Sequence, residues 1–102
     1  MLPIDFFKIT EDASNYGITS TKQLAVFIIL ANEMGSSLPD VADKYKFDNY
    51  KSFYATCRKL MEGDLTRKDG LKLLKWAKER EKRISLTSRG IELKAVLDVY
   101  IK

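Results

Sequence analysis

Residues 36–63 read SSLPDVADKYKFDNYKSFYATCRKLMEG, and this stretch decides the fold. It contains two amphipathic helical patterns, a short one ending near Lys46 and a longer one over about 49–62. A turn of a few residues joins them, so the stretch predicts a helix-turn-helix pair over about 38–62. Each helix begins after side chains that can accept hydrogen bonds from the free N–H groups of a first turn. These capping candidates are Ser36 or Ser37 for the first helix and Asp48 or Asn49 for the second.

The second helix of this pair has one apolar face and one polar face. The apolar face is predicted to point into the core and comprises Tyr50, Phe53, Cys57, Leu60 and Met61. The polar face suits DNA, since small side chains allow close approach to a groove and cations neutralise phosphates. The predicted DNA-contacting residues of this helix are Lys51, Ser52, Tyr54, Ala55, Arg58 and Lys59. An ordinary solvent-exposed polar face is the alternative.

Further helices are predicted on both sides of the pair. A first helix covers about 4–14. A second is apolar nearly all round over 24–31 and is therefore expected to be central and buried, with Gly35 as its stop. A last helix begins after the capping residue Thr87 and covers about 88–101.

The basic charge is concentrated in one half of the chain. The chain has 18 basic and 14 acidic residues, which gives a net charge of +4. Residues 1–48 carry four basic and seven acidic residues, net −3, whereas residues 49–102 carry 14 basic and seven acidic ones, net +7. The densest basic stretch is 67–83. A local excess of cations that begins at the second helix of the pair indicates an anionic partner.

The composition argues against an enzyme. The chain has no His and a single Cys, so the usual general base is missing and no Ser-His-Asp, Cys-His or Cys-rich zinc arrangement can form within it. We therefore expect no catalytic site, no cofactor and no metal. Cys57 stands on an apolar helix face and is expected to be buried and inert rather than a redox switch.

The sequence also predicts a cytoplasmic protein. No signal peptide is expected at the N-terminus, because a basic segment followed by an apolar run is missing there. The longest apolar run, Leu24–Ala31, is far shorter than the roughly 20 residues that cross a bilayer. A lone Cys fits a reducing compartment.

Residues 69–86 allow two interpretations. Leu, Lys, Ala, Glu and Arg are good helix formers, and local propensity narrowly favours a helix over 69–83. However, residues 84–86 alternate as a strand does. The second interpretation is a β-hairpin with a basic tip, in which 71–77 pairs with 82–86.

Glu79–Gly90, EREKRISLTSRG, together with the order of the helices, resembles the winged helix-turn-helix of the MarR-type transcription regulators. Leu86, Thr87 and Gly90 match the family's Leu-Thr-x-x-Gly, where a strand ends and a helix begins. Arg80 falls where the family's wing arginine enters the minor groove. The resemblance implies a hairpin, the wing, over about 69–86. It also implies a mainly α fold with a small β-hairpin, as a single winged helix-turn-helix domain over 1–102.

This resemblance further implies a sequence-specific, double-stranded DNA-binding regulator. The helix over 49–62 would enter the major groove while the wing contacts the flanking backbone or minor groove. Trp76 is expected to brace the hairpin against the core. The predicted DNA-contacting residues of the wing are Lys75, Lys78, Arg80, Lys82 and Arg83.

A homodimer is also implied, with the helices near the two termini available for its interface. The sequence points to no particular small-molecule effector. The alternative function is a winged-helix protein-interaction module, an adaptor or anti-repressor, that binds an acidic partner.

Overall fold

The computed structural model describes residues 2–61 and 70–101, and in them it shows five α-helices and one two-stranded antiparallel sheet. The helices are α1 (Pro3–Asn15), α2 (Thr21–Ala31), α3 (Leu38–Lys44), α4 (Tyr50–Leu60) and α5 (Ser88–Asp98). The strands are β1 (Leu74–Lys78) and β2 (Arg83–Leu86), joined through a 3-10 turn at Glu79–Glu81. The predicted mainly helical fold with a small hairpin is confirmed. Helix α4 ends at Leu60, two residues before the predicted end, because Met61 is already extended. The predicted hairpin start at residue 69 lies outside the described residues.

Four helices begin at side-chain caps. Ser20, Ser37, Asn49 and Thr87 each accept a hydrogen bond from the backbone N–H three residues further on, at 3.0 to 3.2 Å. Of the predicted alternatives, Ser37 and not Ser36 caps α3, and Asn49 and not Asp48 caps α4. Such a bond satisfies one of the four N–H groups that a helix start leaves unpaired, so these boundaries are set locally.

The helix α3 ends two residues earlier than predicted, because Lys46 adopts a left-handed conformation with φ 55°. The Phe47 N–H then donates to the Ala42 carbonyl at 3.0 Å and the Lys46 N–H to the Asp43 carbonyl at 3.2 Å. This pair of bonds is a Schellman motif, which closes the helix and reverses the chain toward α4. Helix α1 ends in the same way at Gly17, whose φ is 93°.

The chain forms a hairpin where local propensity favours a helix, so the helical interpretation of 69–83 is wrong. Leu74, Ile84 and Leu86 are buried against the helices, and β1 pairs with β2 in a register that places Leu74 opposite Leu86. A third segment joins the sheet edge: the Gly35 N–H donates to the Ile84 carbonyl at 3.1 Å and the Leu38 N–H to the Lys82 carbonyl at 2.9 Å. Burial and this long-range pairing outweigh helix propensity.

The chain that enters the hairpin also closes the end of α4. The N–H groups of Leu71 and Leu73 donate to the carbonyls of Lys59 and Leu60 at 3.0 and 2.9 Å. The last carbonyls of a helix have no partner within it, so this segment satisfies groups that would otherwise cost stability. The hairpin is therefore fixed to α4 by backbone bonds.

Helix α2 is central, as predicted, and packs against α4, α5 and β2. It ends at Ala31, before the predicted stop at Gly35, which instead begins the segment that pairs with β2. One prediction for α4 needs correction: Tyr50, expected in the core, is 38% exposed. Thr56, which belongs to neither predicted face, is buried. Thr56 can be buried because its hydroxyl donates to the Ser52 carbonyl at 3.0 Å.

None of the described helices has the length and apolar character that a membrane crossing requires.

Candidate nucleic-acid interface

Helix α4 has an exposed row of side chains at helical spacing. Lys51, Ala55 and Lys59 stand four residues apart and are all exposed. The opposite side of the helix, with Phe53 and Cys57, is buried. The helix has 11 residues, which makes it about 16 Å long, and an α-helix about 10–12 Å wide fits a major groove about 12 Å wide. We call Lys51, Ala55 and Lys59 the α4 stripe.

The other predicted residues of α4 lie beside this stripe. Ser52, Tyr54 and Arg58 are half-buried. Arg58 and Lys59 also occupy the last turn of the helix, where a cation interacts favourably with the negative end of the helix dipole. Their positive charges therefore have a role in stability as well as in any contact with an anion.

The cations of the hairpin fall into two groups. Lys75, Lys78 and Arg80 are exposed, Lys78 with an ion pair of 3.6 Å to Glu81. Arg83, in contrast, is held in the protein. Its guanidinium donates to the Gly35 carbonyl at 2.8 Å and lies 3.6 Å from a carboxylate oxygen of Glu81.

Lys82 lies at the junction of the hairpin with α4. The rings of Tyr54 and Trp76 stack there, with their centroids 6.5 Å apart and an interplanar angle of 29°. The Lys82 ammonium stands 5.7 Å from the Tyr54 centroid and 5.1 Å from the Trp76 centroid, within the range of a cation–π interaction. Trp76 is half-buried against the core, so the expected bracing role for it is confirmed.

Two residues near α4 were missed by sequence reasoning. Lys22, at the start of α2, donates a hydrogen bond from its ammonium to the Ser52 hydroxyl. Tyr50 turns outward beside Tyr54, with ring centroids 6.0 Å apart. The pKa of Tyr50 is raised, mainly by partial burial and to a lesser extent by the neighbouring Tyr54. Its phenol therefore stays a hydrogen-bond donor at neutral pH. No pattern in the sequence indicates the Lys22 contact, because it joins residues 30 positions apart.

The described residues contain no group of three or more His, Cys, Asp or Glu side chains that could hold a metal ion. The surface formed by the α4 stripe and the hairpin is instead basic and aromatic. Cations and aromatic hydroxyls are the groups that contact phosphates and base edges.

Comparison of the chain with protein-family models, with curated proteins and with solved structures finds no match.

Proposed function

We propose that this protein is a sequence-specific, double-stranded DNA-binding transcription regulator. The observation that carries this proposal is the α4 stripe, an uncovered helix face with a lysine near each end, next to a hairpin whose cations are exposed. In this function α4 enters the major groove and the hairpin acts as a wing on the flanking backbone or minor groove. The resemblance to MarR-type regulators supports the same arrangement. The proposal includes a cytoplasmic location and assigns the protein no catalytic role.

The α4 stripe has the dimensions and the chemistry for a groove. Lys51 and Lys59 are eight residues apart, about 12 Å along the helix, so both ammonium groups can reach phosphates that border one groove. Ala55 between them has a short side chain, which lets the helix backbone approach the base edges. The exposed hairpin cations Lys75, Lys78 and Arg80 then extend the contact along the backbone.

The surface near the chain termini supports a homodimer. Exposed apolar side chains on or beside α1 and α5 are Leu2, Ile4, Phe6, Phe7, Ile91 and Val99, all between 48% and 69% exposed. Apolar patches of this kind mark interaction surfaces, and a two-fold related copy would cover them. A two-fold axis would present two α4 helices to a palindromic site whose half-sites are about 34–36 Å apart.

Removing the two lysines of the α4 stripe should weaken DNA binding. We expect the Lys51→Ala/Lys59→Ala variant to lower affinity for a duplex from the region upstream of the protein's own gene. It should also reduce the slope of log K against log salt concentration by about 1.8, because each phosphate contact contributes about 0.9. Fluorescence anisotropy at several salt concentrations measures both quantities.

The matched control is Lys8→Ala/Lys94→Ala, which removes the same charge from α1 and α5, away from the α4 stripe and the hairpin; sedimentation checks that this control keeps the dimer mass of the unmodified protein. It should keep the affinity and slope of the unmodified protein. If both variants behave alike, net charge and not α4 governs binding. If the unmodified protein shifts neither the upstream duplex nor a random duplex at low salt, the DNA-binding proposal is wrong and an acidic protein partner is favoured.

Replacing two apolar residues of α1 should dissociate the proposed dimer. Phe6 and Phe7 are 48% and 56% exposed, so Phe6→Ser/Phe7→Ser removes apolar area from the surface without opening a cavity in the core. We expect sedimentation to give a dimer mass for the unmodified protein and a monomer mass for the variant, with unchanged far-UV circular dichroism. A monomer mass for the unmodified protein at micromolar concentration would contradict the dimer.

A further inference from the structure

Lys82 connects three elements of the fold at once. Its ammonium lies over the rings of Tyr54 in α4 and Trp76 in β1, at 5.7 and 5.1 Å from their centroids. Its carbonyl accepts a hydrogen bond from the N–H of Leu38, the first residue of α3, at 2.9 Å. One residue of the hairpin turn thus contacts both helices of the helix-turn-helix pair.

The backbone of Lys82 holds the side chain in this position. Its φ is 55°, the left-handed region that a residue with a Cβ adopts only at a cost, and its N–H donates to the Glu79 carbonyl at 3.0 Å. The β1–β2 register is irregular between Trp76 and Lys78, next to this turn. The turn and the irregularity together bring the Lys82 side chain onto the same rings that join the hairpin to α4.

The environment of Lys82 differs from that of the other hairpin lysines. Lys75 and Lys78 are exposed, whereas Lys82 is half-buried and its ammonium faces two aromatic rings. Drawing this ammonium onto a phosphate would weaken its contacts with the rings of Tyr54 and Trp76. The exposed lysines can reach a phosphate without such a loss.

We propose that Lys82 is a positioning residue that holds the hairpin against α4, and that it does not contact phosphate. The Lys82 cation and the stacked rings of Tyr54 and Trp76 form a clamp, which sets the distance between the α4 stripe and the tip of the hairpin. The consequence for DNA rests on the proposed function, because the clamp would fix the spacing between the groove contact and the backbone contact. The clamp itself exists without DNA.

The clamp is tested first in the free protein, through its only tryptophan. Lys82→Met keeps an unbranched apolar stem and removes the charge, and we expect the Trp76 emission to shift to longer wavelength as the hairpin loosens. Lys82→Arg keeps a cation and should restore the emission of the unmodified protein. Lys59→Met, the matched control, makes the same chemical change on the α4 stripe and should leave the emission unchanged. Lys82→Gln replaces Lys82→Met if far-UV circular dichroism shows that the latter does not fold.

The second measurement is the salt dependence of DNA affinity for the same variants. Lys82→Met should lower affinity by about three- to tenfold at every salt concentration, with an unchanged slope. Lys59→Met should reduce the slope by about 0.9. An unchanged Trp76 emission in Lys82→Met, or a slope reduced as in Lys59→Met, would overturn the clamp. If the unmodified protein binds no DNA, the proposed function fails, and the emission result alone decides whether Lys82 holds the hairpin.

Discussion

The Gly90→Ala variant is expected to lose about 3–5 kcal/mol of unfolding free energy, a large part of what a domain of this size has. A Cβ added at Gly90 would stand 2.1 Å from the Leu73 carbonyl oxygen and 3.3 Å from Leu86 Cδ2. Leu73 cannot move away easily, since it is fully buried and its N–H is bonded to the Leu60 carbonyl. Relief of the clash requires α5 to separate from the segment that enters β1.

That separation would break two further bonds. The Thr87 N–H donates to the Leu73 carbonyl at 3.1 Å, and the Thr87 hydroxyl donates to the Lys72 carbonyl at 2.5 Å. Helix propensity makes the opposite prediction, because alanine stabilises a helical position by about 1 kcal/mol relative to glycine. The sign of the change therefore distinguishes tertiary contact from propensity.

Urea denaturation followed by far-UV circular dichroism measures the effect. Gly35→Ala is the matched control, because its φ is +89° but none of the described heavy atoms outside its immediate neighbours lies within 4 Å of an added Cβ. It should cost only the backbone strain of a left-handed residue, about 1–2 kcal/mol. A Gly90→Ala variant as stable as the unmodified protein would show that α5 and the segment that enters β1 do not approach so closely.

The native Cys57 thiol is expected to react with a disulfide reagent about a thousandfold more slowly than the same thiol in the unfolded chain. Cys57 is fully buried in α4, and burial raises its pKa from an ordinary 9.0 to about 12. Only the thiolate reacts, and its fraction falls tenfold for each unit of pKa. Exclusion of the reagent slows the reaction further, so modification should follow unfolding of the chain.

The rate at which Cys57 reacts with Ellman's reagent at pH 8, measured in buffer and in urea, gives this reactivity. The matched control is Ala55→Cys in a Cys57→Ala background, which places a thiol on the exposed side of the same helix. This variant should react at a similar rate in both solvents. Rapid reaction of Cys57 in the folded protein would instead support the redox-switch interpretation of this residue.

Sequence reasoning succeeds for α4 where the determinant is local. The cap at Asn49 and the buried Phe53, Cys57 and Leu60 follow from side chains within a few positions of each other. It fails for Tyr50, which lies in the first turn of α4. A first turn can extend past the neighbouring elements that pack over the rest of its helix, and its side chains are then exposed. Helical spacing places Tyr50 on the apolar face, but it cannot show where the core ends.

The candidate site divides in the same way. The exposure of Lys51, Ala55 and Lys59 follows from helical periodicity. The environments of Lys82 and Arg83 do not, although both belong to the same basic stretch as the exposed Lys78. One ammonium lies over two rings and one guanidinium binds the Gly35 carbonyl, and these contacts exist only after the hairpin has folded onto α4 and the Gly35–Leu38 segment.

By itself the sequence determined the helix starts and their caps, the buried face of α4 apart from Tyr50, and the concentration of positive charge in the second half of the chain. Each of these depends on neighbours within one or two helical turns. Only the tertiary structure decided that residues 74–86 form a hairpin, since buried Leu74, Ile84 and Leu86 and pairing with the segment at Gly35 outweigh local helix propensity. It also decided which cations remain exposed. The physical reason is that burial and long-range hydrogen bonds depend on chain segments that are distant in sequence.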